Sequence, residues 1–297
     1  RRPPRSTLFP YTTLFRSSTR TILALLGPAY LWLLLFGLAP LGIMLYFSFL
    51  SDVPLGQRVV YLTTENYARF FSRSFYSRLT LDSLLMAAYT TIGCLLLGYP
   101  MAYGLAKTVR GRWQTALFLL VIVPFWSNSL IRLYSWIVVL GKGGIINYSL
   151  HLLGWGGQLN ILFTYPAILI GLVHAYLPYM VLTIYVALQR IDDRLVEAAA
   201  SLGARPWRVF WRILLPLSWP GVLAGVILVF IPATGSFVEP RLLGGPAGTM
   251  LGTVIEDQFV QVFNWPLGAA LSFILLLIVV LIMAASARLL LAHTPAS

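Results

Sequence analysis

Few side chains in this 297-residue sequence could perform chemistry, since it has three histidines, one cysteine and nine acidic residues. His174 lies within an apolar stretch, and no second His or Cys stands near it at the spacing of metal ligands. We therefore expect no metal site. His174 is then either a buried imidazole with satisfied hydrogen bonds or a contact for a substrate or proton.

The sequence has no pattern typical of an enzyme. No Ser/His/Asp triad or carboxylate pair falls within one apolar layer, so we predict no catalytic residue. A nucleotide-binding loop of the form Gly-x-x-x-x-Gly-Lys-Ser/Thr is also missing, because Leu140–Gly144 has the wrong spacing and Gly244–Thr249 lacks the lysine. We expect no cofactor on this chain, so any ATP and Mg²⁺ that drive it must be used by a partner.

The most specific pattern lies in the polar segment 190–216, which is too long for a turn. Asp192 is placed to cap a short helix, and Gly203 follows that helix in the usual C-terminal position. Four residues at helical spacing give this helix a small apolar face: Leu195, Ala198, Ala199 and Leu202. Pro206 suits the first turn of a second helix, which we expect to end at Leu215-Pro216.

The two short helices favour different interpretations. An alanine-faced helix with no core of its own to cover invites a groove on a partner protein, because small side chains allow close approach. The alternative is an amphipathic helix resting on the bilayer surface. That alternative fits the second helix, which carries Trp and Arg stripes, but fits Glu197–Ala200 poorly. We therefore predict a docking element at 197–203.

The spacing within this segment resembles a family signature. Glu197-Ala198-Ala199, then Gly203 after three residues, then Ile213-x-Leu215-Pro216 after nine more, is similar to the loop of permeases of binding-protein-dependent ABC importers. The resemblance implies an all-α type I importer permease whose loop docks into a cleft on an ATPase subunit and transmits ATP-driven closure to the helices. It also implies four partners: an ATPase dimer, a second permease, an extracytoplasmic binding protein and the bilayer.

Other segments are similar to the spermidine/putrescine branch of that family. They are Pro124–Trp126, Ser129–Arg132 and Phe230–Ala233 through Leu242–Gly245. That branch often has acids where this chain has Ser236 and Arg241, although Glu239, Glu256 and Asp257 lie nearby in the sequence. A polyamine is the first expectation for the substrate. Iron, thiamine, opines and other small solutes are the alternatives.

Composition places the chain in a membrane. Hydrophobic residues make up 59% of it and charged residues only 10%, against about 25% charged in soluble domains. A hydrocarbon core of about 30 Å requires roughly 20 apolar residues per helix. Charge-free stretches predict six transmembrane helices, at about residues 22–49, 82–106, 114–140, 161–188, 217–238 and 264–290.

The basic residues predict the orientation in the membrane. Lys and Arg collect on the cytoplasmic side of membrane helices, and one face of the six-helix arrangement carries 14 of the 21 basic residues with three of the nine acids. Both termini therefore belong on the cytoplasmic side of a bacterial inner membrane. The net charge of +12 suits an anionic leaflet and does not imply nucleic acid.

The first 18 residues stand apart from the single permease domain that we predict for 19–297. Thr7-Leu8-Phe9 recurs as Thr13-Leu14-Phe15 in a segment rich in Arg, Ser and Pro. This segment is either non-native sequence or a disordered basic tail.

Four polar residues in or beside the third and fifth predicted helices are candidates for a substrate path: Asn128, Arg132, Ser236 and Glu239. Polar groups in membrane helices are costly and usually face the bundle or a cavity. Arg132 could instead extend to the outer interface as an anchor, so both roles stay open. The rival functions are a channel and an ion-coupled secondary transporter. The latter would normally have two related halves, which we do not find here.

Overall fold

The computed structural model describes residues 19–51 and 61–291. Within these ranges the chain is helical apart from its connections and one isolated β-bridge between Leu50 and Leu62. The segment 1–18, for which the sequence leaves two origins open, lies outside the described residues.

Twelve α-helices follow one another in the described part of the chain. They are α1 (Thr19–Ser48), α2 (Glu65–Ser72), α3 (Ser74–Tyr103), α4 (Arg112–Trp126), α5 (Ser129–Leu140), α6 (Ile145–Leu152), α7 (Tyr165–Gln189), α8 (Asp193–Ser201), α9 (Pro206–Val209), α10 (Leu215–Thr234), α11 (Leu251–Val260) and α12 (Trp265–Leu291).

Six stretches of the described chain are long and apolar enough to cross a membrane. They are Leu26–Ser48, Ser74–Thr108, Ser129–Leu152, Tyr165–Gln189, Pro206–Thr234 and Trp265–Ala285. A shorter apolar stretch, Arg112–Val123, lies in α4. The all-α membrane architecture with six spans is the one that the sequence predicts.

Helices α3, α7 and α10 pack together at the centre of the molecule. Small residues allow α10 to approach α7 closely: a Cβ atom on Gly221 would lie 2.4 Å from the Cβ of Ala187, and one on Gly225 would lie 2.5 Å from the Sδ of Met180. Two small residues four positions apart are a common device for close packing of membrane helices. The buried hydroxyls of Tyr99 and Ser218 share a hydrogen bond of 2.9 Å between α3 and α10.

A second group of helices lies beside this centre. Helix α12 contacts α1, α2 and α11. A buried cluster that includes Phe70, Leu251 and Leu271 joins α2, α11 and α12. Along Leu26–Ser48 only 6% of the apolar stretch of α1 is buried, as suits a helix whose outer surface faces lipid.

The third predicted span, 114–140, is two helices in the structure. Helix α4 ends at Trp126 and α5 begins at Ser129. Between them the side chain of Asn128 accepts a hydrogen bond of 2.8 Å from the backbone N–H of Leu130. An Asn cap satisfies a free N–H at a helix start. The polar residues here therefore mark the start of a second helix and do not lie in the interior of one continuous helix.

The second short cytoplasmic helix also differs from the prediction, which ended it at Leu215-Pro216. In the structure α9 continues into α10 through a π-helical turn at Phe210–Leu214. A proline ring clashes with the carbonyl four residues earlier in a regular α-helix. The wider turn directly before Pro216 accommodates the ring, so the fifth span runs unbroken from Pro206 to Thr234.

The second span starts earlier than the predicted residue 82, because α3 begins at Ser74. Tyr76 and Leu79 of this first part are buried in the cluster that contains α11 and α12. Aromatic residues that look like an exposed connection in the sequence are therefore packed helix in the fold.

Three π-helical turns occur in the described part of the chain, at Gly104–Thr108, Phe210–Leu214 and Pro240–Gly244. Such turns are rare and are often found at functional sites. The first two adjoin α8, and the third follows the opposite end of α10. Irregular backbone therefore lies beside the predicted docking element at 197–203 and beside the candidate path residues Ser236 and Glu239.

Candidate functional site

The predicted docking element forms α8. Asp192 caps it, its carboxylate accepting a hydrogen bond of 3.0 Å from the N–H of Arg194. At the other end Gly203 has a φ of +78°, and Gly203 and Ala204 donate backbone hydrogen bonds to the carbonyls of Ala200 and Ala199. This pair of bonds is the Schellman arrangement, which needs a left-handed residue and therefore favours glycine. Both predicted ends of the helix are confirmed.

Helix α8 lies on the surface, and none of its residues is fully buried. Val196 and Ala199 pack toward the inner apolar cluster, whereas Leu195 and Leu202 are 49% and 89% exposed. The predicted apolar face is thus divided, because Ala199 turns inward with Val196. Glu197 and Ala198 are exposed, so a partner could reach them.

The rest of the signature connects α8 to the membrane helices. Ile213 and Leu215 pack against the inner cluster that also contains the buried Leu214, and Pro216 lies in the first turn of α10. Trp207 remains 69% exposed beside α8. Exposed apolar side chains next to a surface helix are typical of a protein interface. The structure thus separates an exposed part, around Glu197 and Ala198, from a packed part, Ile213 and Leu215.

A polar cluster lies past the other end of α10. Ser236 is buried, and its hydroxyl donates a hydrogen bond to the carboxylate of Glu239. The side chain of Tyr176 on α7 lies close enough to Ser236 and Glu239 to interact with both. The structure therefore brings together two of the four predicted path residues and adds Tyr176, which no motif in the sequence indicated.

Arg241 takes part in a separate ion-pair group. Its guanidinium donates to the carboxylates of Glu256 and Asp257, the latter at 2.5 Å. The hydrogen bond to Asp257, with the charges of both acids, raises the pKa of Arg241 above its ordinary value. Arg241 therefore pairs with two of the three acids that the sequence places near this end, and its single positive charge offsets one of their two negative charges.

Asn128 and Arg132 have different surroundings. Asn128 is the exposed cap of α5. The guanidinium of Arg132 lies 5.8 Å from the centre of the Phe125 ring, within cation–π range. Nearby, the indole N–H of Trp136 donates to Nδ1 of His174 at 3.2 Å. His174 therefore has a hydrogen-bond partner inside the protein.

Aromatic rings connect these groups. Phe125 of α4 packs edge-on against Tyr179 at 4.5 Å between ring centres, and Tyr179 lies 6.3 Å from Tyr176. A continuous line of contacts thus runs from Arg132 through three aromatic rings to Glu239. No group of three or more His, Cys, Asp or Glu side chains in the described ranges could hold a metal ion.

The comparison with known families decides which proteins this chain resembles. Residues 95–293 match the binding-protein-dependent transport system inner membrane component family. The chain belongs to this family. It is therefore a multi-pass permease component of the inner membrane, and α8, the π-helical turn at Phe210–Leu214 and α10 all lie within the matched region.

Individual relatives agree with the family. The chain is 41% identical to the spermidine/putrescine transport system permease protein PotB of Haemophilus influenzae, over 81% of this chain and 84% of that protein. It is 41% identical to PotB of Escherichia coli, over 83% and 90%. It is 32% identical to the molybdenum transport system permease protein ModB of Mycobacterium bovis, over 66% and 72%.

Solved structures support the type I importer fold. A bacterial ABC transporter that imports the acidic polysaccharide alginate superposes with a TM-score of 0.74 at 19% identity, covering 92% of this chain and 96% of that chain. The methionine ABC transporter MetNI in an inward-facing conformation gives a TM-score of 0.56 at 20% identity, covering 74% and 96%. The likeness to these structures is one of fold alone.

Proposed function

We propose that this chain is the permease subunit through which an ATP-driven importer moves a polyamine, spermidine or putrescine, across the inner membrane. The choice of substrate rests on the 41% identity to a spermidine/putrescine permease over four fifths of the chain. Identity at this level over most of both proteins supports a shared substrate class. The other solutes left open by the sequence have weaker support.

The chemistry of the line of contacts from Arg132 to Glu239, which we call the polar path, supports an amine substrate. Polyamines carry ammonium groups separated by methylenes, which suit a surface of carboxylate and aromatic rings. Glu239 accepts a hydrogen bond from the hydroxyl of Ser236, which carries no positive charge that would compete with an amine for the carboxylate. The side chain of Tyr176 lies near Glu239, and the ring of Tyr179 lies 6.3 Å from that of Tyr176. Arg132 at the far end opposes a cation, so we expect the amine to bind nearer Glu239.

The driving force enters through α8. This chain has no phosphate-binding loop, so a separate ATPase dimer must hydrolyse ATP with Mg²⁺. The exposed Glu197, Ala198 and Leu202 are the surface to which one ATPase subunit binds. A second permease, either a sister chain or another copy, completes the transport path. An extracytoplasmic binding protein delivers the solute on the opposite side.

The movement follows from this arrangement. ATP binding brings the two ATPase subunits together and pushes the α8 helices of the two permeases toward each other. The packed residues Ile213 and Leu215 carry that displacement into α10. The path then opens outward to receive the solute, and hydrolysis resets it.

Uptake by cells tests this proposal. The chain is expressed with its second permease, ATPase and binding protein in a strain without polyamine uptake, and labelled putrescine and spermidine are measured. Both should accumulate, and a Walker-lysine variant of the ATPase should abolish accumulation. Thiamine, ferric iron and molybdate serve as competitors. If the labelled polyamines do not accumulate, or if one of these solutes displaces them and unlabelled polyamines do not, the substrate assignment is contradicted. If uptake continues with the ATPase variant, the mechanism is contradicted.

A further inference from the structure

Lys107 joins the docking helix to the membrane helices. It lies in the π-helical turn that follows α3, and its ammonium donates to the carbonyl of Ile191 and to the carboxylate of Asp193, both at 2.6 Å. Its side chain is only 10% exposed. A lysine is rarely buried this far unless its charge is paired, so these two contacts fix its position.

The two acceptors belong to the start of the docking segment. Ile191 lies between α7 and α8, and it is buried in the same cluster as Leu105 of the π-helical turn. Asp193 is the first residue of α8. One ammonium group therefore connects the cytoplasmic end of α3 to the end of α7 and to the first turn of α8.

Few other polar contacts attach α8 to the membrane helices. Within the described ranges, the hydrogen bonds and ion pairs between an α8 side chain and the segment after α3 are those of Lys107 and Arg110 with the carboxylate of Asp193. Arg110 is 82% exposed and 3.9 Å away. Exposed pairs of this kind contribute little, so Lys107 is the main polar connection.

We propose that Lys107 is a positioning residue that transmits movement of α8 to α3, and through α3 to its contacts with α7 and α10. This proposal rests on the proposed docking of an ATPase at α8. A displaced α8 carries Asp193 and the Ile191 carbonyl with it, and Lys107 follows because its largely buried side chain holds both acceptors through hydrogen bonds of 2.6 Å. The adjoining π-helical turn at Gly104–Thr108 is where α3 bends in response.

The charge state of the pair fits this role. The hydrogen bond from Lys107, together with its charge, holds the pKa of Asp193 below its usual range. Asp193 is therefore a carboxylate at physiological pH and can accept the hydrogen bond from Lys107.

Three variants of the complete transporter test the connection. Lys107→Met keeps the length of the side chain and removes its charge, and Asp193→Asn removes the same ion pair from the exposed side. Arg110→Met is the matched control, since it removes a basic residue three positions away whose ion pair with Asp193 is longer and more exposed. Three quantities are measured in proteoliposomes: co-purification of the ATPase, ATP hydrolysis, and putrescine uptake per ATP hydrolysed.

We expect Lys107→Met and Asp193→Asn to keep the ATPase bound and hydrolysing while uptake per ATP falls about three- to tenfold, with Arg110→Met unchanged. The double variant should be no worse than Lys107→Met alone, because both changes break one interaction. The proposal is overturned if the losses in uptake per ATP multiply in the double variant or if either single variant loses the bound ATPase. It is also overturned if Lys107→Met and Arg110→Met have the same uptake per ATP. Failure of the docking itself is distinguishable, since the unmodified chain would then not retain the ATPase.

Discussion

Position 203 requires glycine because of its backbone conformation and not because neighbouring atoms lie too close. Its φ is +78°, yet a Cβ atom at this position would meet nothing within 4 Å. The left-handed conformation costs a branched residue about 1–2 kcal/mol. The family signature places glycine here, and the structure gives the reason: two backbone hydrogen bonds that end α8 depend on this turn.

We therefore expect Gly203→Val to impair coupling and Gly203→Asn to be tolerated, because Asn adopts the left-handed conformation more readily. For Gly203→Val, a cost of about 1–2 kcal/mol corresponds to a roughly five- to thirtyfold loss of the correctly ended helix. Uptake per ATP hydrolysed measures the effect, with membrane insertion as the control. Normal uptake by the Val variant, or equal losses in both, would show that the conformation of Gly203 is unimportant.

Arg241 controls how much negative charge the outer end presents. Arg241→Gln should free Glu256 and Asp257 and raise uptake of putrescine below saturation by about two- to fivefold, the usual size of an exposed charge pair. The gain should shrink at high salt. Arg78→Gln, which removes an exposed arginine on α3, is the control. Reduced uptake by Arg241→Gln would mean that the ion pairs hold α11 in place and do not mask charge.

The effect of Lys107 on coupling should not depend on pH in the physiological range. A carboxylate whose pKa is lowered in the folded protein contributes its stabilisation above the ordinary Asp value of about 3.9, and loses it only as the pH falls through the lowered value. The ratio of Lys107→Met to unmodified uptake per ATP should thus stay constant between about pH 6 and pH 8. A ratio that changes over this interval would show that another titrating group controls the connection.

The sequence reveals residues whose partners are local. Asp192 and Gly203 are predictable because capping involves neighbours within a few positions. Lys107 reads only as a basic residue at a helix end, since its partners are 84 and 86 positions away. Tyr176 escapes notice for the same reason: Ser236 and Glu239 reach it only after α7 and α10 have packed.

At the scale of helices, the crossing of α7 and α10 holds the transport domain together. Gly221 lies against Ala187 and the carbonyl of Thr183, where a Cβ atom would approach to 2.4 and 2.7 Å. Both neighbours belong to the central helix α7, so neither can move away cheaply. This crossing also links the docking segment to the outer polar cluster, because α10 runs between them.

Gly221→Leu should therefore destabilise the protein, with overpacking costing at least about 1–3 kcal/mol. Gly37→Leu on α1 is the matched control, because a Cβ atom at Gly37 meets nothing within 4 Å. Thermal unfolding in detergent compares the two. Equal stability of both variants would contradict the close approach of α7 and α10.

The apolar pattern predicts where helices cross the membrane but not how they are interrupted. Long charge-free stretches are sufficient for six spans. The break at Asn128 depends on one capping hydrogen bond, and the unbroken passage through Pro216 depends on a π-helical turn. Hydropathy is sensitive to neither feature.

At the scale of the whole molecule, the two functional regions occupy opposite ends of one helix bundle. Helix α8, the predicted docking element, and Lys107 lie at the predicted cytoplasmic end. The polar path around Tyr176 and Glu239 lies toward the other end. Helices α3, α7 and α10, whose mutual packing forms the centre of the molecule, connect the two ends.

We expect ATP hydrolysed by a partner, and not an ion gradient, to drive solute through this chain. The most direct measurement is putrescine uptake into proteoliposomes that contain the complete transporter and enclose ATP and Mg²⁺, with binding protein and label outside. We predict accumulation with ATP and no ion gradient, and none with a proton or sodium gradient in the absence of ATP. Accumulation driven by a gradient alone would contradict the account.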